Sequence, residues 1–174
     1  MNNILYTKET FIYENSNSIS DEICNDIIEI YENEKIESEV YNMDISVKYK
    51  NIKKYLTFEL EKSIHNYNKK FNLFSQYKLL NFENIFDKNI TFFIKKNNKN
   101  EVNITNRCSE KKIKILMFIW FLNDYEGGYV FCNEYNIKPK TGKLIIFPVS
   151  WCFPYHELIS LETQKYIIYG YIYA

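Results

Sequence analysis

Phe121-Leu122-Asn123-Asp124-Tyr125-Glu126-Gly127-Gly128 and, a few residues later, Ile137-Lys138-Pro139-Lys140-Thr141-Gly142-Lys143-Leu144-Ile145-Ile146-Phe147-Pro148 contain the chain's clearest turns. Gly127 and Gly128 permit backbone angles closed to other residues, and Pro139 with Gly142 turns the chain into the run that ends at Phe147-Pro148. Around these turns stand runs rich in Ile, Phe and Tyr: Ile113–Leu122, Tyr129–Cys132 and Lys143–Phe147, with Ile90–Ile94 before them and Lys165–Tyr173 after. Such runs bounded by turn residues read as strands.

Upstream the pattern is helical. Ser20 followed by Asp21 and Glu22 supplies a capping hydroxyl and two acidic groups at the positive end of a helix dipole. Ile23, Ile27, Ile30 and Tyr31 then recur at helical spacing. A second helix is expected over about Asn51 to Asn68, where Ile52, Leu56, Leu60, Ile64 and Tyr67 make one apolar stripe suited to covering a sheet. No Pro precedes Pro139 and no Gly precedes Gly127, so boundaries in the first two-thirds lack punctuation. Helices first and strands after predict an α+β domain with helices packed on one face of an antiparallel sandwich. No internal repeat, linker or low-complexity tail is visible beyond a polar stretch at Lys95–Asn100.

At 174 residues the chain is long enough for one core without disulfide or metal staples, and it is expected to be one domain, 1–174, with a helical part over 19–70 and a strand-built core over 76–174. Acidic and basic residues balance at 22 each, so no global field favours nucleic acid or an anionic membrane. Cys24, Cys108, Cys132 and Cys152 form no CxxC pair, which argues for reduced thiols rather than a zinc knuckle or disulfide framework. The N-terminal residues contain no apolar signal region and no run reaches the ~18 apolar residues of a membrane span, so a soluble, cytoplasmic protein is expected. The wealth of Asn, Ile, Lys and Tyr and the single arginine, Arg107, read as coding bias rather than chemistry.

The two opening segments together resemble the prolyl 4-hydroxylase-like family of Fe(II)/2-oxoglutarate-dependent oxygenases, whose pattern runs roughly YLND, GG, PKxGxxxxFP. Trp151 at the expected distance, Lys165-Tyr166 opening the last strand, and Ile19-Ser20-Asp21-Glu22-Ile23-Cys24 at the first helix extend the resemblance over about Ile19 to Ile172. It implies a double-stranded β-helix (a cupin-like jelly roll) with the N-terminal helices packed on one sheet. It would also imply Fe(II) and 2-oxoglutarate as cofactors. Fold does not establish activity, so each site position needs its own reading.

The family's iron is held by two His and one carboxylate, with the first two ligands arriving as His-x-Asp. This chain has two histidines, His65 and His156, and neither has Asp two residues later. Alignment to the family places Asn103 and Thr105 at the first two ligand positions. An amide and a hydroxyl replace an imidazole and a carboxylate there. For the third ligand, counting from Trp151 to Lys165 without gaps places Tyr155 at the metal and His156 beside it. Neighbouring strand residues face opposite sides, so His156 points outward unless a bulge before it and a deletion after it restore it. His65, on the second helix, reads as surface or structural.

Lys165 is the chemical element that survives best. The resemblance implies that it pairs with the distal carboxylate of 2-oxoglutarate, and the alternative is a lysine snorkelling at a strand start. Ile94 aligns where many relatives place a Tyr on the same co-substrate. Tyr169 and Tyr171 share Lys165's parity and are expected to fill the interior.

The expectation is therefore an oxygenase-fold pseudoenzyme: a non-catalytic domain binding a protein partner or a small carboxylate ligand, with no metal, no nucleic acid and no membrane. The alternative is an active Fe(II)/2-oxoglutarate-dependent dioxygenase of the prolyl 4-hydroxylase-like type. A residual third reading is metal-independent chemistry at Tyr155, His156 and Glu157.

Overall fold

The computed structural model describes residues 11–34, 36, 38–71, 90–97, 114–132, 134–150, 153–159 and 163–173. In chain order the elements are β1 (Tyr13–Asn15), α1 (Asp21–Asn33), β2 (Val40–Asn42), a 3-10 turn (Val47–Tyr49), α2 (Lys50–Phe71), β3 (Phe93–Asn97), β4 (Lys114–Phe121), β5 (Gly127–Phe131), β6 (Tyr135–Ile137), β7 (Leu144–Pro148), β8 (Tyr155–Ile159) and β9 (Lys165–Tyr173). They build two antiparallel sheets. A larger one runs β1-β7-β4-β9-β3-β2 and a smaller one, among the described residues, runs β6-β5-β8.

Local chemistry starts α1 where the sequence indicates. Ser20 is the N-cap and its hydroxyl accepts from the Ile23 N–H, with Asp21 and Glu22 in the first turn. The stripe of α2 turns Leu56, Leu60, Ile64 and Tyr67 inward, all fully buried. They pack with Cys24, Ile27 and Tyr31 of α1 against the outer face of the larger sheet, where Ile94, Leu116, Phe118, Trp120, Leu144, Ile146, Ile168 and Ile172 stand. The indole N–H of Trp120 donates to Ser18 Oγ at 3.0 Å, so the buried ring leaves no donor unsatisfied.

The opposite face of the same sheet forms a second core with the smaller one. Met117, Ile119, Phe121, Ile145, Phe147 and Ile167 meet Tyr129, Phe131 and Ile137 there. Along β4 even-numbered residues from Leu116 to Trp120 face the helices and odd-numbered ones from Met117 to Phe121 face the smaller sheet. Both faces are covered, which is why this strand reads as a continuous apolar run.

The conspicuous turns are structural. Gly142 has φ +76°, and a Cβ there would lie 2.2 Å from the Ile19 carbonyl oxygen. Gly128 has φ +139°, and its Cβ would meet the Ile137 oxygen at the same distance. Asp124 accepts from the Thr141 N–H (2.6 Å) and hydroxyl (2.7 Å), which ties the two turns together and holds the carboxyl below its ordinary range.

One strand lies elsewhere than expected. β3 covers Phe93–Asn97 rather than Ile90–Ile94 and runs into the polar stretch that begins at Lys95. Lys96 earns its place by pairing with Glu32 of α1 at 2.8 Å and by lying 5.5 Å from the Tyr166 ring centre. Cys24 and Cys132 are free thiols, and Cys108 and Cys152 lie outside the described residues. No helix among the described residues is long and apolar enough to cross a membrane.

Candidate functional site

β8 and the start of β9 bring the aligned site positions to the space between the sheets. In β8 alternation turns Tyr155 and Glu157 inward, while His156 and Leu158 are exposed. The Tyr155 ring lies 4.9 Å from Phe147 and 5.8 Å from Phe131, centre to centre. Its hydroxyl donates to Met117 Sδ at 3.3 Å. Burial, with the Tyr169 phenol nearby, raises the pKa of this phenol. His156 stands on the far face of the smaller sheet, where a cation bound between the sheets is out of its reach. Asn103, Thr105 and Trp151 lie outside the described residues. His65 is exposed on α2.

Lys165 opens β9 on the inner face of the larger sheet and is 4% exposed. It crosses to the smaller sheet, where Tyr129 of β5 and Glu157 of β8 are directly opposed in register. Its ammonium makes an ion pair with Glu157 Oε1 and donates to the Tyr129 hydroxyl at 3.2 Å. The rings of Tyr129 and Tyr125 lie 5.4 and 5.8 Å from Nζ. Burial, reinforced by the positive charge of Lys95, pushes the Lys165 ammonium down to about 6. Lys95 itself is lowered by burial.

Asn123 fixes where Lys165 sits. Its amide donates to the Gln164 carbonyl at 2.6 Å and its oxygen accepts from the Tyr166 N–H at 2.8 Å, so the lysine is bracketed on both sides. The Tyr125 hydroxyl is sealed from solvent and has no hydrogen-bond partner among the described residues. The Tyr129 phenol is raised well above its ordinary range, first by burial and then by the surrounding tyrosines.

Tyr169 and Tyr171 pack against this inner core, on the same face as Lys165. Ile94, aligned with a co-substrate tyrosine, is instead fully buried on the helix side of the sheet. The neighbouring Phe93 faces inward and stacks on Tyr169 at 5.4 Å. A shift of one residue reverses the face, and counting across the unpunctuated stretch before β3 left that register open.

Sequence reasoning missed the partners of Lys165. Glu157 shares the parity of Tyr155, a signal sufficient to turn it inward, but nothing local says that it meets a residue of the other sheet. Tyr129 and Tyr125 carry no signal beyond their place beside the glycine turn.

An Fe(II) centre needs imidazole and carboxylate donors with positions left open for other ligands. Among the described residues no three His, Cys, Asp or Glu side chains gather as such a set. Tyr155 would have to lose a proton that its surroundings hold and leave a packed ring cluster. The described residues do not fit the ion.

No protein-family model and no curated protein matches the sequence. Solved structures do. The viral collagen prolyl hydroxylase of Paramecium bursaria Chlorella virus-1 superposes with a TM-score of 0.61 at 16% identity, over 95% of this chain and 90% of that one. Its complex with 2-oxoglutarate gives 0.59 at 15% identity, over 95% and 97%. A Pseudomonas putida prolyl-4-hydroxylase gives 0.64 at 8% identity, over 95% and 93%. The chain has the fold of the prolyl 4-hydroxylases, and the resemblance seen in the sequence motifs holds at the level of architecture.

Proposed function

We propose that this chain is a jelly-roll protein of the oxygenase fold that binds a small ligand or a protein partner without iron-dependent redox chemistry. The reading is carried by Tyr155. The residue aligned with the third iron ligand is a half-buried phenol packed against Phe131, Phe147 and Met117, and the adjacent imidazole of His156 lies on the opposite face of its strand. A ligand set built here would have to dismantle part of the core that joins the two sheets. Asn103 and Thr105, aligned with the other two ligands, offer no imidazole and no anion.

The test is anaerobic loading with Fe(II), metal analysis, and an assay for 2-oxoglutarate decarboxylation. The expected result is neither stoichiometric iron nor turnover. Iron bound one to one with coupled decarboxylation would overturn the proposal in favour of an active dioxygenase. A gain-of-function pair sharpens it. Asn103→His, Thr105→Asp and Tyr155→His together should create a measurable Fe(II) or Zn(II) site, whereas the first two changes beside native Tyr155 and His156 should not. Equal metal binding by both would mean that His156 reaches the interior.

A further inference from the structure

Lys165, Tyr129 and Tyr125 surround a point between the sheets that calls for an anion. Lys165 is almost wholly buried, and an isolated ammonium in such a place costs several kcal/mol by general estimates. Glu157 answers it from the opposite sheet, reaching inward because it lies two residues beyond Tyr155 on β8. The donors nevertheless exceed what one glutamate uses. The Lys165 contact falls on Oε1, the Tyr125 ring lies 5.8 Å from Nζ with a sealed hydroxyl that has no partner among the described residues, and Lys95 of β3 stands on the same sheet face as Lys165.

We infer that these groups form a carboxylate-binding seat which the chain fills with its own Glu157, so that a free carboxylate must displace an internal one to bind. The inference rests on the proposed reading of this fold as a ligand-binding scaffold, and it names the ligand class, a small carboxylate. It also explains how Lys165 stays buried with no external ligand present. A tethered carboxylate acts at an effective concentration in roughly the millimolar range or above, so a chemically similar free carboxylate below that level competes poorly. The intact protein therefore admits a free carboxylate only at concentrations that compete with Glu157. Removing the Glu157 side chain opens the seat beside a buried Lys165 amine that then has no anion to hold it charged.

The experiment is a thermal and urea unfolding series in sodium propionate, with sodium chloride at matched ionic strength as reference. It compares the intact chain, Glu157→Ala, and Glu157→Ala with Lys165→Met. Glu157→Ala should be stabilised progressively by propionate, as mass action requires for a ligand that binds only the folded state. The intact chain and the double variant should respond to propionate no more than to chloride. Equal responses from all three, or none from Glu157→Ala, would overturn the seat. Should Glu157→Ala fail to fold in chloride, refolding it from urea in propionate decides the matter. Recovery of folded protein supports the inference, and no recovery beyond chloride refutes it. Repeating the titration with 2-oxoglutarate shows whether the opened seat admits a dicarboxylate. None of these readouts involves iron, so the seat can fail while the redox-silent reading stands, and the reverse.

Discussion

The two sides of the larger sheet bury large side chains with different chemistry. Toward the helices, Leu56, Leu60, Ile64, Phe92, Phe118, Trp120, Leu144 and Ile168 fill the space by shape, and Trp120 satisfies its one donor on Ser18. Toward the smaller sheet, Tyr129, Tyr155, Tyr169 and Tyr171 share the space with the Lys165–Glu157 pair. The first region is held mainly by burial of apolar surface, which is non-directional and tolerant of exchange. The second depends on polar groups that must each find a partner in low dielectric, so its residues are coupled. A scaffold and a site have been divided between the faces of one sheet.

The largest effect that would test this division is expected on the helix side. Phe118→Ala removes a fully buried ring that touches Phe92 and Trp120 and should cost about 3–5 kcal/mol in urea unfolding. Between the sheets the informative comparison is single against double. Breaking the ion pair with Lys165→Met or Glu157→Leu should each cost about 3 kcal/mol, whereas both together should restore most of the loss. Additive losses would mean that the pair is two independent packing residues, and the contrast between the regions would fall.

Alkali should probe the phenols next. Burial pushes Tyr169 up to about 12 and raises Tyr125, Tyr129 and Tyr155 as well. Because the folded values lie above the unfolded one, their contribution is intact below about pH 10 and is lost as pH climbs toward the folded values. Unfolding free energy should therefore be level on approach to that point and then fall, by about 1.4 kcal/mol per pH unit for each phenol held protonated. The phenolate absorbance of these buried rings, taken as the difference from variants in which they are replaced by Phe, should appear together with loss of structure, not before it. A phenolate signal that develops while the fold persists would show that the tyrosines are open to solvent.

Two small effects complete the series. Tyr155→Phe keeps the ring and loses only a hydroxyl bonded to Met117 sulfur, so the cost should be under about 1 kcal/mol. His156→Ala, on the exposed face of the same strand, should stay within about 0.5 kcal/mol of the parent. A larger loss at His156 than at Tyr155 would reverse the assignment of strand faces.

Much of the architecture was legible because it depends on local rules. Ser20 and the acidic pair after it start α1, the stripe through Leu56 and Tyr67 makes α2, and the glycines at 128 and 142 sit where no side chain fits. The short strands β1, β2 and β6 carry too few residues for a period to register, and β3 runs on through Lys95 and Lys96, whose charged side chains carry no strand signal. The candidate site was legible only by halves. Period two turns Tyr155 and Glu157 to one face, but the meeting of Glu157 with Lys165 is made by two sheets closing on each other, which no window of sequence contains. Asn103 and Thr105 belong to the part outside the described residues.

The bracket that Asn123 forms around Lys165 separates position from connection. The side chain holds the backbone on both sides of the lysine from the end of β4, so the start of β9 is registered against a strand neighbour and not by the chain arriving from β8. The turn after β4 holds the approach to β9 at a further point, where the Thr163 hydroxyl accepts from the Glu126 N–H at 3.0 Å. A change at Asn123 would unmoor the ammonium without touching the lysine.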